Sequence, residues 1–68
     1  MSNNQNLANN IKKLREAKGL SQEKLARLAD VANNTIIKIE GGKNQNPTFD
    51  TLKKIAKALD ISIDDLTS

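Results

Sequence analysis

The run Asn33-Asn34-Thr35-Ile36-Ile37-Lys38-Ile39-Glu40 carries residue types that read DNA bases, at a spacing that gathers them on one side of a helix. Asn pairs in bidentate fashion with adenine N6 and N7, Lys donates to guanine O6 and N7, and an exposed Ile packs on a thymine methyl. At 3.6 residues per turn, Ile36 and Ile39 point one way and serve as core anchors. Asn34, Ile37, Lys38 and Gly41 fall opposite, flanked by Asn33 and Thr35. Each residue also has a plainer reading. Asn at a helix start is often a cap, and Lys on an outer face is often only solvated. Ile37 is harder to place, because the core side is already filled. It is either covered by a partner or a tolerated single surface apolar residue. The whole pattern, rather than any one side chain, points to a surface for double-stranded DNA.

A reading helix needs neighbours that hold it. Ser21 is a good N-cap, its hydroxyl placed to accept a free N–H of the first turn, and Glu23 there suits the helix dipole. Lys24 stands where a reciprocal capping box would need Glu or Gln. Leu25, Leu28 and Ala29 share a face, and Ala26 is small enough for another helix to come close. Ala29-Asp30-Val31 makes the turn, with Asp30 at a left-handed position where such turns usually carry Gly. The second helix is expected at about Asn33 to Glu40, with Ala32 or Asn33 near the N-cap. Residues 22–41 therefore read as two short helices joined by a tight turn, a helix-turn-helix motif.

Upstream, residues 1–6 are Asn-rich and expected to be a disordered tail, with Asn6 as a candidate N-cap. The tail has no basic residue, so it makes a poor minor-groove arm. A first helix is expected from about Leu7 to Lys18, carrying Leu7, Ile11 and Leu14, with Gly19 as its stop. Lys12, Lys13 and Lys18 fall on its solvated side. Solvation is the simpler reading for them, and a phosphate contact from one stays open. Downstream, Thr48 caps a fourth helix whose buried stripe is Leu52, Ile55, Ala56 and Leu59. Ser62 caps a single short turn, Ile63 to Leu66. The expected core is Leu7, Ile11, Leu14, Leu20, Leu25, Leu28, Val31, Ile36, Ile39, Phe49, Leu52, Ile55, Leu59, Ile63 and Leu66. No internal repeat or linker is visible.

At 68 residues the chain is one domain, and a chain near this size buries only about 60% of its unfolded surface. It has no Cys and no His, so no disulfide and no thiolate or imidazole metal site. No metal, cofactor or small-molecule ligand is expected. No apolar run approaches a membrane span or a signal-peptide core, so no membrane partner is expected and a cytoplasmic location fits. The net charge of +3 is unevenly placed. Residues 1–43 hold eight Lys or Arg against four acids, and residues 44–68 hold three against four. The positive excess sits with the half expected to meet DNA, which suits a polyanion without requiring one.

From about Leu7 to Leu66 the chain resembles the phage repressor and Cro type of helix-turn-helix domain, the XRE family. The resemblance is carried by Ile11-Lys12-Lys13-Leu14-Arg15, Gly19-Leu20-Ser21-Gln22-Glu23-Lys24-Leu25-Ala26, Val31, Thr35-Ile36, Ile39-Glu40 and Gly42-Lys43. It continues through Pro47-Thr48, Thr51-Leu52, Lys54-Ile55-Ala56-Lys57-Ala58-Leu59 and Ile61-Ser62. It implies an all-α fold, a compact five-helix bundle whose third helix enters the major groove. By the same resemblance, Asn33, Asn34, Thr35, Ile37 and Lys38 contact bases. Ser21 and Gln22 contact phosphate at the start of the second helix, where Gln22 also braces the first reader residue. Gly41, Lys43 and Asn44 form a loop that grips phosphate. Arg15 and Glu40 form a structural ion pair tying the first helix to the end of the reading helix. The chain departs from the pattern at Asp30 and Asp60, which replace turn glycines. It departs also at Gly41, which replaces a frequent Asn and leaves phosphate binding there to backbone N–H. The loop from Lys43 to Pro47 is one residue longer than in many members, with Lys43 its only cation.

The expected function is that of a bacterial or phage-encoded, nucleoid-associated transcriptional regulator, a repressor binding an inverted-repeat operator as a homodimer. Half-sites would lie about 34–36 Å apart. In the family the last helix and the region around Pro47 often meet a second copy. Ile61 and Leu66 would serve that contact here, or simply close the monomer core. Two alternatives use the same fold: the antitoxin of a toxin–antitoxin pair, with the toxin as partner, and a module that docks on proteins. An enzyme is not expected, because there is no His or Cys, no Gly-rich phosphate loop and no metal-ligand cluster. Single-stranded RNA is disfavoured because Phe49, the one aromatic residue, is expected in the core.

Overall fold

Turns of one kind, each closed by a left-handed residue, set the directions of the helices. In the computed structural model, which describes residues 3–44 and 46–68, the order is α1 (Asn3–Ala17), α2 (Gln22–Ala29), α3 (Asn33–Glu40), α4 (Phe49–Leu59) and α5 (Ile63–Thr67). No strand occurs among the described residues. After α1, Leu20 N–H donates to Arg15 O and Gly19 N–H to Glu16 O, both at 3.0 Å, around Gly19 at φ +70°. After α2, Val31 N–H donates to Ala26 O at 3.0 Å and Asp30 N–H to Arg27 O at 3.2 Å, around Asp30 at φ +59°. After α4, Ile61 N–H donates to Ala56 O at 3.0 Å and Asp60 N–H to Lys57 O at 3.1 Å, around Asp60 at φ +60°. Each is a Schellman closure, in which a left-handed residue lets two N–H groups satisfy the last carbonyls. The residue after each left-handed position, Leu20, Val31 or Ile61, packs against the core. The left-handed backbone expected of Asp30 is present, and Asp60 repeats it.

The helix starts follow the expected caps. Ser21 Oγ accepts from Lys24 N–H at 3.0 Å, Thr48 Oγ1 from Thr51 N–H at 3.1 Å, and Ser62 Oγ from Asp65 N–H at 3.0 Å. Only α3 among these four helices has no side-chain cap, because Ala32 precedes it. Ile11, Leu25, Ile36, Ile39, Ile55, Leu59 and Leu66 are fully buried, with Leu7, Ala26, Ala29 and Ala56 completing the core. α2 lies against α3 and α4, while α1 packs on α3 and α5. The α1–α5 contact carries a clasp: Asn10 Nδ2 donates to Leu66 O at 2.9 Å and to Ser68 O at 3.0 Å.

Three expectations change, and one open alternative is decided. α1 starts at Asn3, so Asn3–Asn6 are helical rather than a disordered tail, and Asn6 lies inside the helix instead of capping it. Residues 1–2 of that tail lie outside the described residues. α1 ends at Ala17, one residue before Lys18. Leu28 and Phe49 are 56% and 67% exposed and do not belong to the core. The buried sector of α2 is Leu25, Ala26 and Ala29. At about 100° per residue Leu28 points roughly 100° from the middle of that sector. Phe49 is the first residue of α4, nearly two turns ahead of the buried Ile55, Ala56 and Leu59. Leu66 closes the monomer core and is not available to a second copy.

Candidate nucleic-acid interface

α3 divides its side chains sharply. Ile36 and Ile39 are fully buried, and Asn33, Asn34, Ile37 and Lys38 are exposed. Ile37 is 42% exposed, so an apolar side chain stands in the open on the outer face. Thr35 is half-buried at the edge of that face.

The end of α3 is fixed by a charged network reaching across three helices. Arg15 Nε donates to Glu40 Oε2 at 2.6 Å and Arg15 Nη2 to Glu40 Oε1 at 3.0 Å, a bidentate pair. Arg15 Nη1 donates to Leu20 O at 2.7 Å, and Gln22 Nε2 donates to Glu40 Oε1 at 3.0 Å. The Arg15 and Glu40 side chains are 11% and 4% exposed. The hydrogen bond to Glu40 raises the Arg15 pKa above its ordinary value, and the charges of Glu40 and Glu16 act the same way against the burial that would lower it. Arg15 therefore stays charged at any physiological pH. No buried side-chain nitrogen or oxygen lacks a partner among the described residues.

The pair expected between Arg15 and Glu40 is thus in place, with Gln22 as a third member. Gln22 turns its amide nitrogen to Glu40, a use the sequence reading missed. The acidic Glu40 was the signal for it, since one Arg cannot occupy every lone pair of a carboxylate. Ser21 is exposed. Its Oγ accepts the Lys24 N–H, which leaves the hydroxyl proton free to donate.

The loop after α3 differs from expectation in which groups it leaves free. Gly41 N–H donates to Ile37 O at 2.9 Å and Gly42 N–H to Ile39 O at 3.1 Å. Lys43 N–H and Asn44 N–H both donate to Lys38 O, at 2.9 and 3.0 Å. The backbone donors of 41–44 are already used, so Gly41 has no free N–H with which to grip phosphate. Gly42, at φ +80°, makes the reversal that brings these donors back onto α3. The loop instead presents the exposed Lys43 side chain. Asn44 is half-buried, and its Oδ1 accepts Asn46 N–H at 3.2 Å.

A short helix with a polar outer face, seated on a second helix through a tight turn and clamped at its end, defines a helix-turn-helix DNA-binding domain of the Cro/C1 type. The profile of the HTH_3 family, described as Helix-turn-helix, matches residues 11–66, and the chain belongs to that family. It is 38% identical over 53 residues to the HTH-type transcriptional regulator SinR of Bacillus subtilis, covering 78% of this chain and 48% of SinR. The chain thus spans about half the length of the curated relatives it matches. The restriction-modification controller protein C.AhdI of Aeromonas hydrophila superposes with a TM-score of 0.87 at 35% identity, covering 93% of this chain and 94% of that one. A hypothetical transcription factor of Neisseria, NHTF, superposes with a TM-score of 0.92 at 28% identity, covering 98% and 76%. Among the described residues no helix is long and apolar enough to cross a membrane.

Proposed function

We propose that this chain binds double-stranded DNA in a sequence-specific way as the DNA-binding part of a transcriptional repressor. The observation that carries the reading is the outer face of α3, where Asn33, Asn34, Ile37 and Lys38 stand exposed on a helix whose other side is locked into the core. These side chains, with Thr35 at the edge, read base edges in the major groove. Phosphates on either side are held by the Ser21 hydroxyl, the free backbone N–H of Gln22 at the start of α2, and the Lys43 ammonium, with Asn44 beside it. SinR and C.AhdI, a transcriptional regulator and a controller protein by name, support the regulatory role.

The repressor acts as a homodimer on an inverted repeat. The domain measures 30 × 21 × 21 Å. Two copies with reading helices about 34–36 Å apart are spaced slightly beyond that length, so contact between them rests on side chains that project from the domain. The exposed Phe49, two residues after Pro47, gives that contact an apolar centre.

Selection of binding sites from a random duplex library with purified protein tests the proposal. The expected result is an enriched inverted repeat with half-sites about one helical turn apart. Enrichment of no sequence at near-physiological salt refutes sequence-specific recognition. Enrichment of a single unrepeated site refutes the dimer.

A further inference from the structure

A shallow groove runs between α1 and the reading helix, lined by Lys12, Arg15, Gln22, Ile37, Glu40 and Gly41. Its floor is electrically closed. Arg15 and Glu40 neutralise each other, and the Gln22 amide nitrogen is held by Glu40. Lys12 is the one charged group in the lining with no ion-pair partner. It lies three residues before Arg15, so the two share a side of α1. Because Arg15 points at the end of α3, Lys12 is carried to the same end. Lys13 is the next residue, turned about 100° away, and is exposed outside the groove.

From this geometry we infer that Lys12 is a DNA-contacting residue, holding a backbone phosphate of the strand that passes over the groove beside Ile37 and Gly41. The inference rests on the DNA-binding reading above and adds α1 to the interface. On the sequence alone Lys12, Lys13 and Lys18 are equivalent solvated cations, and packing α1 against α3 is what separates them. The contact is to the phosphate, so it carries no base preference. It complements Lys43, which reaches phosphate from the loop at the far side of Gly41. Two cations thus bracket the C-terminal end of the reading helix, one from each side.

The test uses a mixed-sequence duplex, because phosphate contacts supply essentially all of non-specific binding and no operator need be known. Wild type, Lys12→Gln, Lys12→Arg and Lys13→Gln are titrated by fluorescence anisotropy across a salt series. Lys12→Gln and Lys13→Gln remove the same charge, so bulk electrostatics affects them alike. The expected result is that Lys12→Gln lowers the steepness of the log–log salt dependence by about 0.9, while Lys13→Gln leaves it near wild type. Equivalently, the deficit of Lys12→Gln relative to wild type narrows by about 3.5-fold between roughly 50 and 200 mM salt. Lys12→Arg restores the wild-type slope. Equal slopes for Lys12→Gln and Lys13→Gln, with wild type binding normally, overturn the inference and leave the DNA-binding reading standing. A wild-type protein that binds no duplex at low salt overturns both. Thermal melts of all four proteins are expected to coincide, and a lowered melt for Lys12→Gln alone would show the residue to be structural instead.

Discussion

Replacing Arg15 with Ala removes the partner of a carboxylate that is only 4% exposed. Glu40 then loses its two bonds to the guanidinium, at 2.6 and 3.0 Å, and keeps the one from Gln22. Leu20 O loses its donor as well. Each charge-assisted bond contributes about 1.5–3 kcal/mol, and breaking a buried pair from one side costs about 3–5 kcal/mol. A domain of 68 residues has roughly 3–10 kcal/mol of total stability, so Arg15→Ala is expected to unfold most molecules or come close to it. The double variant Arg15→Met with Glu40→Leu behaves differently. It removes both charges together, and apolar replacement of a buried pair is often neutral or stabilising. The unsatisfied Leu20 O costs it about 1 kcal/mol. Urea denaturation followed by far-UV circular dichroism is expected to place the double variant about 3 kcal/mol above Arg15→Ala. A loss below about 1 kcal/mol for Arg15→Ala, or a double variant no more stable than the single, would refute the assignment of this network as the clamp on α3.

Asp30→Gly and Asp60→Gly each relieve a left-handed backbone and a carboxylate at a helix C-terminus. A net gain of about 0.5–1 kcal/mol per site remains after glycine's entropy cost, and melting temperature should rise by about 4–8 °C for each 1 kcal/mol. A fall in either melt contradicts the Schellman geometry. Asn34→Ala and Lys38→Ala are each expected to weaken binding to a selected site by about 1–3 kcal/mol and to relax preference at one base position. Unchanged affinity and preference in both would remove α3 as the reader. The raised Arg15 pKa gives stability that is present below the unfolded value and lost only as pH climbs through the folded one. Both values lie far above neutrality, and the chain has no His, Cys or Tyr. Urea midpoints should therefore stay nearly flat from about pH 6 to pH 9, the α-amino group being the one ordinary titrating group in that window, and a marked step there would refute the expectation.

Local chemistry is legible in the chain before it folds. Ser21, Thr48 and Ser62 start helices because a hydroxyl reaches an N–H three residues on, and that reach needs nothing from the rest of the chain. Asp30 reads as a left-handed turn residue for the same reason, and the 3.6-residue period separates Ile36 and Ile39 from Asn34, Ile37 and Lys38 without any tertiary information. Periodicity says which residues share a side of a helix. It does not say how wide a strip the neighbouring helices cover, and so Leu28 and Phe49 read as core yet stand exposed. Backbone donors show the same limit. Nothing in Gly41-Gly42-Lys43-Asn44 announces that all four N–H groups fold back onto α3, because that depends on where the loop can go once α3 is seated. The third partner of Glu40 and the separation of Lys12 from Lys13 also arise only when α1, α2 and α3 meet at one point. These are contacts between residues far apart in the chain, and the crossing of packed helices decides them rather than any local preference.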